Sequence, residues 1–423
     1  MFQADERVVR EQYERAKQVF AAYGVDTDQA IATFKRVPIS VHNWQGDDVR
    51  GFEQFAGVHS ENVVTGGYPG ASRNGDEMRA DLDQAFKFSP CRHKLNLHSM
   101  YAEPAHKKER NAYDTEDFGR WIDWARDRRL GIDFNVSYFT HPRMKDGCSL
   151  ASPDEATREY WIEAGIRSRK ISADIGRMLG QPCVNNLWVP DGTKDNTADR
   201  AGYRRRLTAS LDRIFETPYE KAHTRDVLEG KVFGIGTECF VAGSHDFYIA
   251  YAARHGVGVT MDTGHYHPSE NPADKITAIY PFVDYLMLHL TRGVRWDSDH
   301  CLIQDDGLFQ VLQEIVRAGI LEENVGLGLD FFDATINRVT AWIIGLRAAG
   351  KALLTALLEP TALLLSAEAE GNLGRRLALL DEFKNLPVNA VWDQLCLEQG
   401  AGVGASWIDA MDAYERTIQS KRA

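Results

Sequence analysis

Short apolar runs that end in polar or titratable residues recur along this chain, each followed by a stretch with apolar positions at helical spacing. Eight such runs stand out: 38–42 (PISVH), 94–98 (KLNLH), 131–135 (GIDFN), 183–189 (CVNNLWV), 231–238 (KVFGIGTE), 258–262 (GVTMD), 285–290 (YLMLHL) and 325–330 (VGLGLD). Between them, 116–128, 156–179, 247–254 and 308–318 carry the spacing of amphipathic helices. Strand then helix, repeated, predicts parallel pairing with both sheet faces buried, which suits runs that are apolar nearly throughout. Eight units predict an α/β fold, a (β/α)8 TIM barrel in preference to an open sheet.

Helical flanks complete the pattern. Residues 1–36 form an N-terminal helical extension with a helix over 7–23, the barrel takes 37–335, and 336–423 reads as a C-terminal all-helical extension broken at Glu359-Pro360 and Leu386-Pro387. Leucine and alanine at helical spacing over 353–365 and 377–380 give that tail an apolar face, expected to pack partly on the barrel and partly on other subunits. The most apolar stretch, 341–358, is interrupted by Arg347 and Lys351 and reads as a helix of a folded protein, not a membrane span.

Composition narrows the class. A net charge of −12 with no concentrated run of Lys and Arg disfavours nucleic acid and anionic membranes as partners. The cysteines, Cys91, Cys148, Cys183, Cys239, Cys301 and Cys396, form no C-x-x-C pair, which argues against a zinc ribbon or a dithiol site and fits a reducing cytosol. The charged opening from Asp5 to Arg10 lacks the apolar core of a secretory signal, so a cytoplasmic location is expected. No G-x-G-x-x-G follows the first strand, so no nicotinamide is expected either.

In a barrel of this kind the catalytic groups sit at the C-terminal ends of the strands. The fifth run ends in Glu238, the sixth in Asp262 with His265 close behind, the seventh in His289 followed by Asp297 and Asp299, and the eighth in Asp330. Carboxylates crowded on one rim repel unless neutralised, and divalent cations are the usual remedy. Oxygen-rich sets with one or two imidazoles suit Mn²⁺, Mg²⁺ or Co²⁺ better than structural zinc. Seven such groups exceed the needs of one ion, so two neighbouring ions are implied, with one carboxylate bridging. Taken singly, an Asp after a strand is usually a turn or capping residue and His289 a core histidine. The coincidence at four successive strand ends carries the metal reading.

The segments SVHNWQGDDVRGFE (40–53), GGYPG (66–70), KLNLHSMY (94–101), LWVPDGTKD (187–195), VFGIGTE (232–238), MDTGHYHP (261–268), RWDSDH (295–300), GLDFFDATINR (328–338) and ALLEPTA (356–362) resemble the bacterial L-rhamnose isomerase family of the xylose-isomerase-like superfamily. The resemblance runs in register over nearly the whole chain. It implies a cytoplasmic homotetramer with two divalent cations per subunit, Mn²⁺ favoured and Co²⁺, Mg²⁺ or Zn²⁺ possible. It also implies interconversion of L-rhamnose and L-rhamnulose by a hydrogen (hydride) shift between C2 and C1, the first step of rhamnose catabolism. Glu238, Asp262, His289 and Asp330 would hold one cation; His265, Asp297 and Asp299 would hold the other, with Asp262 bridging. His98, which resembles the family histidine at the sugar ring oxygen, is expected to be catalytic together with Asp299 and Asp330.

Trp188 resembles an aromatic wall for the sugar, with His42, Trp44 and Phe134 expected around the 6-methyl group and His267 at or just behind the substrate. In the wider superfamily a lysine often follows the carboxylate corresponding to Glu238 by two residues. Here the order is Glu238-Cys239-Phe240, and Lys194 is the substitute considered. The stretch 51–65 is expected to be a lid. A ketose epimerase, a metal-dependent endonuclease and a non-catalytic sugar-binding protein are the rival readings, beside an isomerase of the same architecture for a different aldose. The second ligand set argues against the first, the acidic charge against the second, and seven costly convergent ligands against the third.

Overall fold

Parallel strands need a crossover longer than a hairpin, and this chain places a helix after each barrel strand. The computed structural model describes residues 4–53, 66–232, 239–294 and 300–422. Its strands are β1 (Pro38–His42), β2 (Arg92–His98), β3 (Gly131–Asn135), β4 (Cys183–Trp188), β5 (Gly192–Thr193), β6 (Thr224–Glu229), β7 (Phe240–Val241), β8 (Gly258–Asp262), β9 (Leu286–Leu290) and β10 (Val325–Leu329). Eight of them close a parallel barrel in the order β1-β2-β3-β4-β6-β8-β9-β10, and β5 and β7 form a separate antiparallel ribbon.

Helices α1 (Glu6–Ala22) and α2 (Thr27–Arg36) precede the barrel. After its eight strands come, in turn, α3 (Gly75–Phe86), α4 (Gly119–Asp127), α5 (Glu155–Leu179), α6 (Arg200–Ile214), α7 (His245–His255), α8 (Ala273–Ile279), α9 (Asp306–Arg317) and α10 (Arg338–Leu357). Helices α11 (Thr361–Ala369), α12 (Leu373–Phe383), α13 (Val388–Gln399) and α14 (Ser406–Thr417) follow. Among the described residues α10 alone is long and apolar enough to cross a membrane; 78% of its apolar window is buried, and it packs on α2, α3 and α9. The two flanks meet where α13 packs on α1, with Lys35 Nζ 2.6 Å from Glu398.

One strand differs from the sequence reading. The fifth barrel strand is Thr224–Glu229, not 231–238; residues 233–238, Glu238 included, lie outside the described residues. The strand TRDVLE is polar on both faces and so escapes a search for apolar runs. Its helix-facing Asp226 is held by Arg169 Nε at 3.0 Å and Asn185 Nδ2 at 2.9 Å, while Glu229 turns into the barrel.

Alternation along the strands then fixes the interior. Val184, Val227 and Met287 form an apolar plug apart from the main core. Here β10 must present glycine: a Cβ at Gly326 would lie 2.7 Å from Met287 Sδ, and one at Gly328 2.8 Å from Met287 Cε. Above the plug, Asn135 donates to Asn96 at 2.6 Å, and Thr260 donates to Asn186 at 2.8 Å. The last inward positions, His42, His98, Trp188, Glu229, Asp262 and His289, with Asp330 just beyond β10, converge at the C-terminal mouth.

Arg338, at the first position of α10, forks onto Asp48 (2.7 and 2.5 Å) and donates to the Tyr68 carbonyl at 2.6 Å, tying the chain after β1 to the eighth helix. Both partners are buried. Removing one leaves an uncompensated charge, so Arg338→Met is expected to lower unfolding free energy by about 3 kcal/mol in urea titration, with part of the loss recovered on adding Asp48→Asn.

Candidate active site

The four strand ends β6, β8, β9 and β10 bring Glu229, Asp262, His289 and Asp330 together, with one ligand atom from each within 4.8 Å of the others. All four are buried. His289 Nδ1 stands 2.9 Å from Asp330 Oδ2 and 3.4 Å from Glu229 Oε2, and His265 Nδ1 stands 3.3 Å from Glu229 Oε1. Glu229 does not float: Asn186 Nδ2 donates to its Oε2 at 2.5 Å, and Thr260 holds Asn186. Asp262 Oδ1 accepts from the Gly264 N–H at 2.7 Å, which orients that carboxylate against its own loop.

Three carboxylates and an imidazole, all out of water, require positive charge nearby. With protein groups alone, protons supply it. Burial pushes Asp330 up to about 6, partly opposed by His289. Burial would also raise Glu229, but His289 and His265 outweigh it and hold that carboxyl down at about 2. Against its own burial, His289 is driven up by Glu229 and Asp330.

His42 gives the complementary signal. Its Nδ1 bonds the Leu329 carbonyl, so in the neutral ring Nε2 carries a lone pair, and that lone pair lies 3.3 Å from Asp330 Oδ1. Burial, His289 and His98 hold His42 well below the usual histidine range, keeping it neutral. His289 Nε2 is buried with no hydrogen-bond partner among the described residues. Lone pairs aimed at one another and hard oxygen donors around one imidazole fit a divalent cation.

Around this cluster stand aromatic groups. His98 lies flat on Trp44, centroids 4.3 Å apart, and Trp44 is stacked on His42 at 4.9 Å. Phe139 meets Trp188 at 5.3 Å, Trp44 at 6.0 Å and His98 at 6.1 Å, and Trp188 lies 6.3 Å from His265. Lys231 Nζ sits 4.9 Å over the Trp188 ring, and its charge reaches Asp330.

The placement of the expected residues is therefore uneven. His42, Trp44, His98, Trp188, Asp262, His265, His289 and Asp330 come together. Phe134 does not join them: it faces the helical layer, edge-on to Phe118 at 4.9 Å, because its neighbours Asp133 and Asn135 take the inward positions, and Phe139 is the phenylalanine of this strand-loop unit that meets the site. Lys194 and His267 are solvent-exposed, the latter with its Nδ1 2.7 Å from Ser269 Oγ. Asp297 and Asp299, like Glu238 and residues 54–65 of the expected lid, lie outside the described residues. Sequence reading missed Glu229 and Lys231. The Val227-Leu228 pair ahead of Glu229-Gly230-Lys231, a carboxylate and a lysine two residues apart, was the available signal.

The family model for L-rhamnose isomerase (RhaA) matches residues 7–422. The chain belongs to the L-rhamnose isomerase family. Relatives named L-rhamnose isomerase include those of Rhodopirellula baltica, 48% identical over 416 residues with 98% of this chain and 97% of the relative covered, and Mannheimia succiniciproducens, 46% over 415 residues with 98% and 99% covered. A third, from Escherichia coli, is 46% identical over 411 residues, covering 97% of this chain and 98% of the relative. Membership in the L-rhamnose isomerase family thus spans the strand ends that build the cluster.

If Asn186 orients Glu229, Asn186→Ala is expected to weaken Mn²⁺ binding by about 10- to 100-fold in calorimetric titration of the chelator-stripped protein. Unchanged affinity would show that Glu229 is not held this way.

Proposed function

We propose that this protein interconverts L-rhamnose and L-rhamnulose by moving hydrogen between C2 and C1 of the open-chain sugar. The observation that carries the reading is the buried set Glu229, Asp262, His289 and Asp330, gathered at a barrel mouth in a member of this family. These four would hold one divalent cation, Mn²⁺ in preference to Co²⁺, Mg²⁺ or Zn²⁺. His265, Asp297 and Asp299 would hold a second, with Asp262 shared. When bound, such a cation supplies a Lewis acid that polarises the sugar's oxygens and compensates the carboxylates.

The chain's own groups do the rest. Glu229 takes the role first given to Glu238, and Lys231, two residues on, takes that considered for Lys194: its ammonium donates a hydrogen bond to the carbonyl oxygen at C1. His98 acts at the ring oxygen. Trp188, Trp44 and Phe139 cover the apolar face of the sugar and exclude water, and His42 closes the pocket on the β1 side. The hydrogen stays within the substrate, so no nicotinamide is required.

The working form is a cytoplasmic homotetramer in this reading. In support, all six cysteines are unpaired, and Leu365, Leu373 and Leu377 on α11 and α12 are 59%, 59% and 64% exposed, an apolar face suited to another subunit.

Chelator-stripped protein is expected to be inactive, to regain ketose formation with Mn²⁺, and to prefer L-rhamnose in a panel of aldoses. Lys231→Met is expected to lower kcat on L-rhamnose by about 100-fold or more. Full activity after stripping, or no reaction of any aldose with any divalent ion, would overturn the proposal.

A further inference from the structure

Ser137 occupies a backbone conformation that glycine adopts more easily. It follows β3 with a φ of +61°, in the left-handed region that residues with side chains avoid. The turn is held there from several sides. Arg110, itself 3% exposed, donates through Nη1 to the Ser137 carbonyl and, at 2.9 Å, to that of Phe139. Glu53 engages the other guanidinium nitrogens and accepts from Tyr113 at 2.9 Å, while Ser99 donates to the Val136 carbonyl. What this turn delivers is Ser137 Oγ, 3.3 Å from His98 Nδ1. The other ring nitrogen, Nε2, is buried and has no hydrogen-bond partner among the described residues, so it is the nitrogen left for a ligand.

We propose that Ser137 is a positioning residue for opening of the sugar ring, its hydroxyl accepting from His98 Nδ1–H and so turning the Nε2 lone pair toward the substrate. This inference rests on the reading of His98 given above. Opening a pyranose breaks O1–H and C1–O5 and forms C1=O1 and O5–H. His98 Nε2 takes the proton from O1 as the carbonyl forms and gives it to O5 as the C1–O5 bond breaks, so one proton moves within the sugar and the imidazole ends as it began. An uncharged partner suits this duty: burial pushes His98 down to about 3, so the resting ring is neutral, with one N–H to be assigned. In the proposed arrangement Nδ1 carries it and donates to the hydroxyl oxygen. Strain at position 137 is then explained by what the side chain does, since the backbone alone favours glycine.

Ser137→Gly separates the two roles, because glycine fits the turn and removes the hydroxyl. The variant is expected to melt no lower than the parent, to keep KM for L-rhamnose within about twofold, and to lose about tenfold or more in kcat. His98→Asn is expected to lose at least as much, and the double variant no more than His98→Asn alone, because Ser137 acts through that ring. Parent-like kcat in Ser137→Gly, or losses that multiply in the double variant, would overturn the proposal. Parent-like kcat in His98→Asn would overturn the reading of His98 beneath it, while isomerisation of L-rhamnose by the parent protein tests the proposed function separately.

Discussion

Charge buried without full compensation is the constraint on which the rest of this structure depends. Three carboxylates share the barrel mouth with one imidazole, so even with His289 charged between Asp330 and Glu229 the set stays net negative, and the groups that orient Glu229, Asp262 and His42 are neutral. Asn186 and Thr260 hold Glu229 by neutral hydrogen bonds, a backbone N–H holds Asp262, and the Leu329 carbonyl fixes the tautomer of His42. Neutral partners orient a ligand without satisfying its charge. The demand for a cation therefore survives folding.

The barrel makes that arrangement possible by separating its duties along the strands. The plug of Val184, Val227 and Met287 and the hydrogen-bonded asparagines fill the interior below the site, while outward positions such as Leu327, Leu329 and Phe134 pack against helices. Since successive side chains alternate, one apolar run supplies both a core face and, at its end, a functional group.

That economy is also why much of the molecule is legible in the sequence. Runs 38–42, 131–135 and 258–262 coincide with strands, and His42, His98, Asp262, His289 and Asp330 were visible as the polar ends of apolar runs, while Trp188 was named through the family resemblance. The fifth strand was not, because Asp226 and Glu229 receive their partners from Arg169, Asn185 and Asn186, which are distant in sequence. A window along the chain sees their polarity and not its compensation, so it moved to the more apolar 231–238. The same blindness to facing exchanged Phe134 for Phe139. Arg110 and Glu53, which brace the turn after β3, belong to loops whose only sequence signal is charge, and charge in a loop ordinarily means solvent.

The central claim is that Glu229, at the end of β6, is the carboxylate that completes the cluster. Mn²⁺ titration of Glu229→Gln and Glu238→Gln, side by side with the parent, tests it most directly. The account predicts that Glu229→Gln loses at least about tenfold in affinity for the tighter ion while Glu238→Gln binds as the parent does. Parent-like binding by Glu229→Gln together with loss in Glu238→Gln would contradict it.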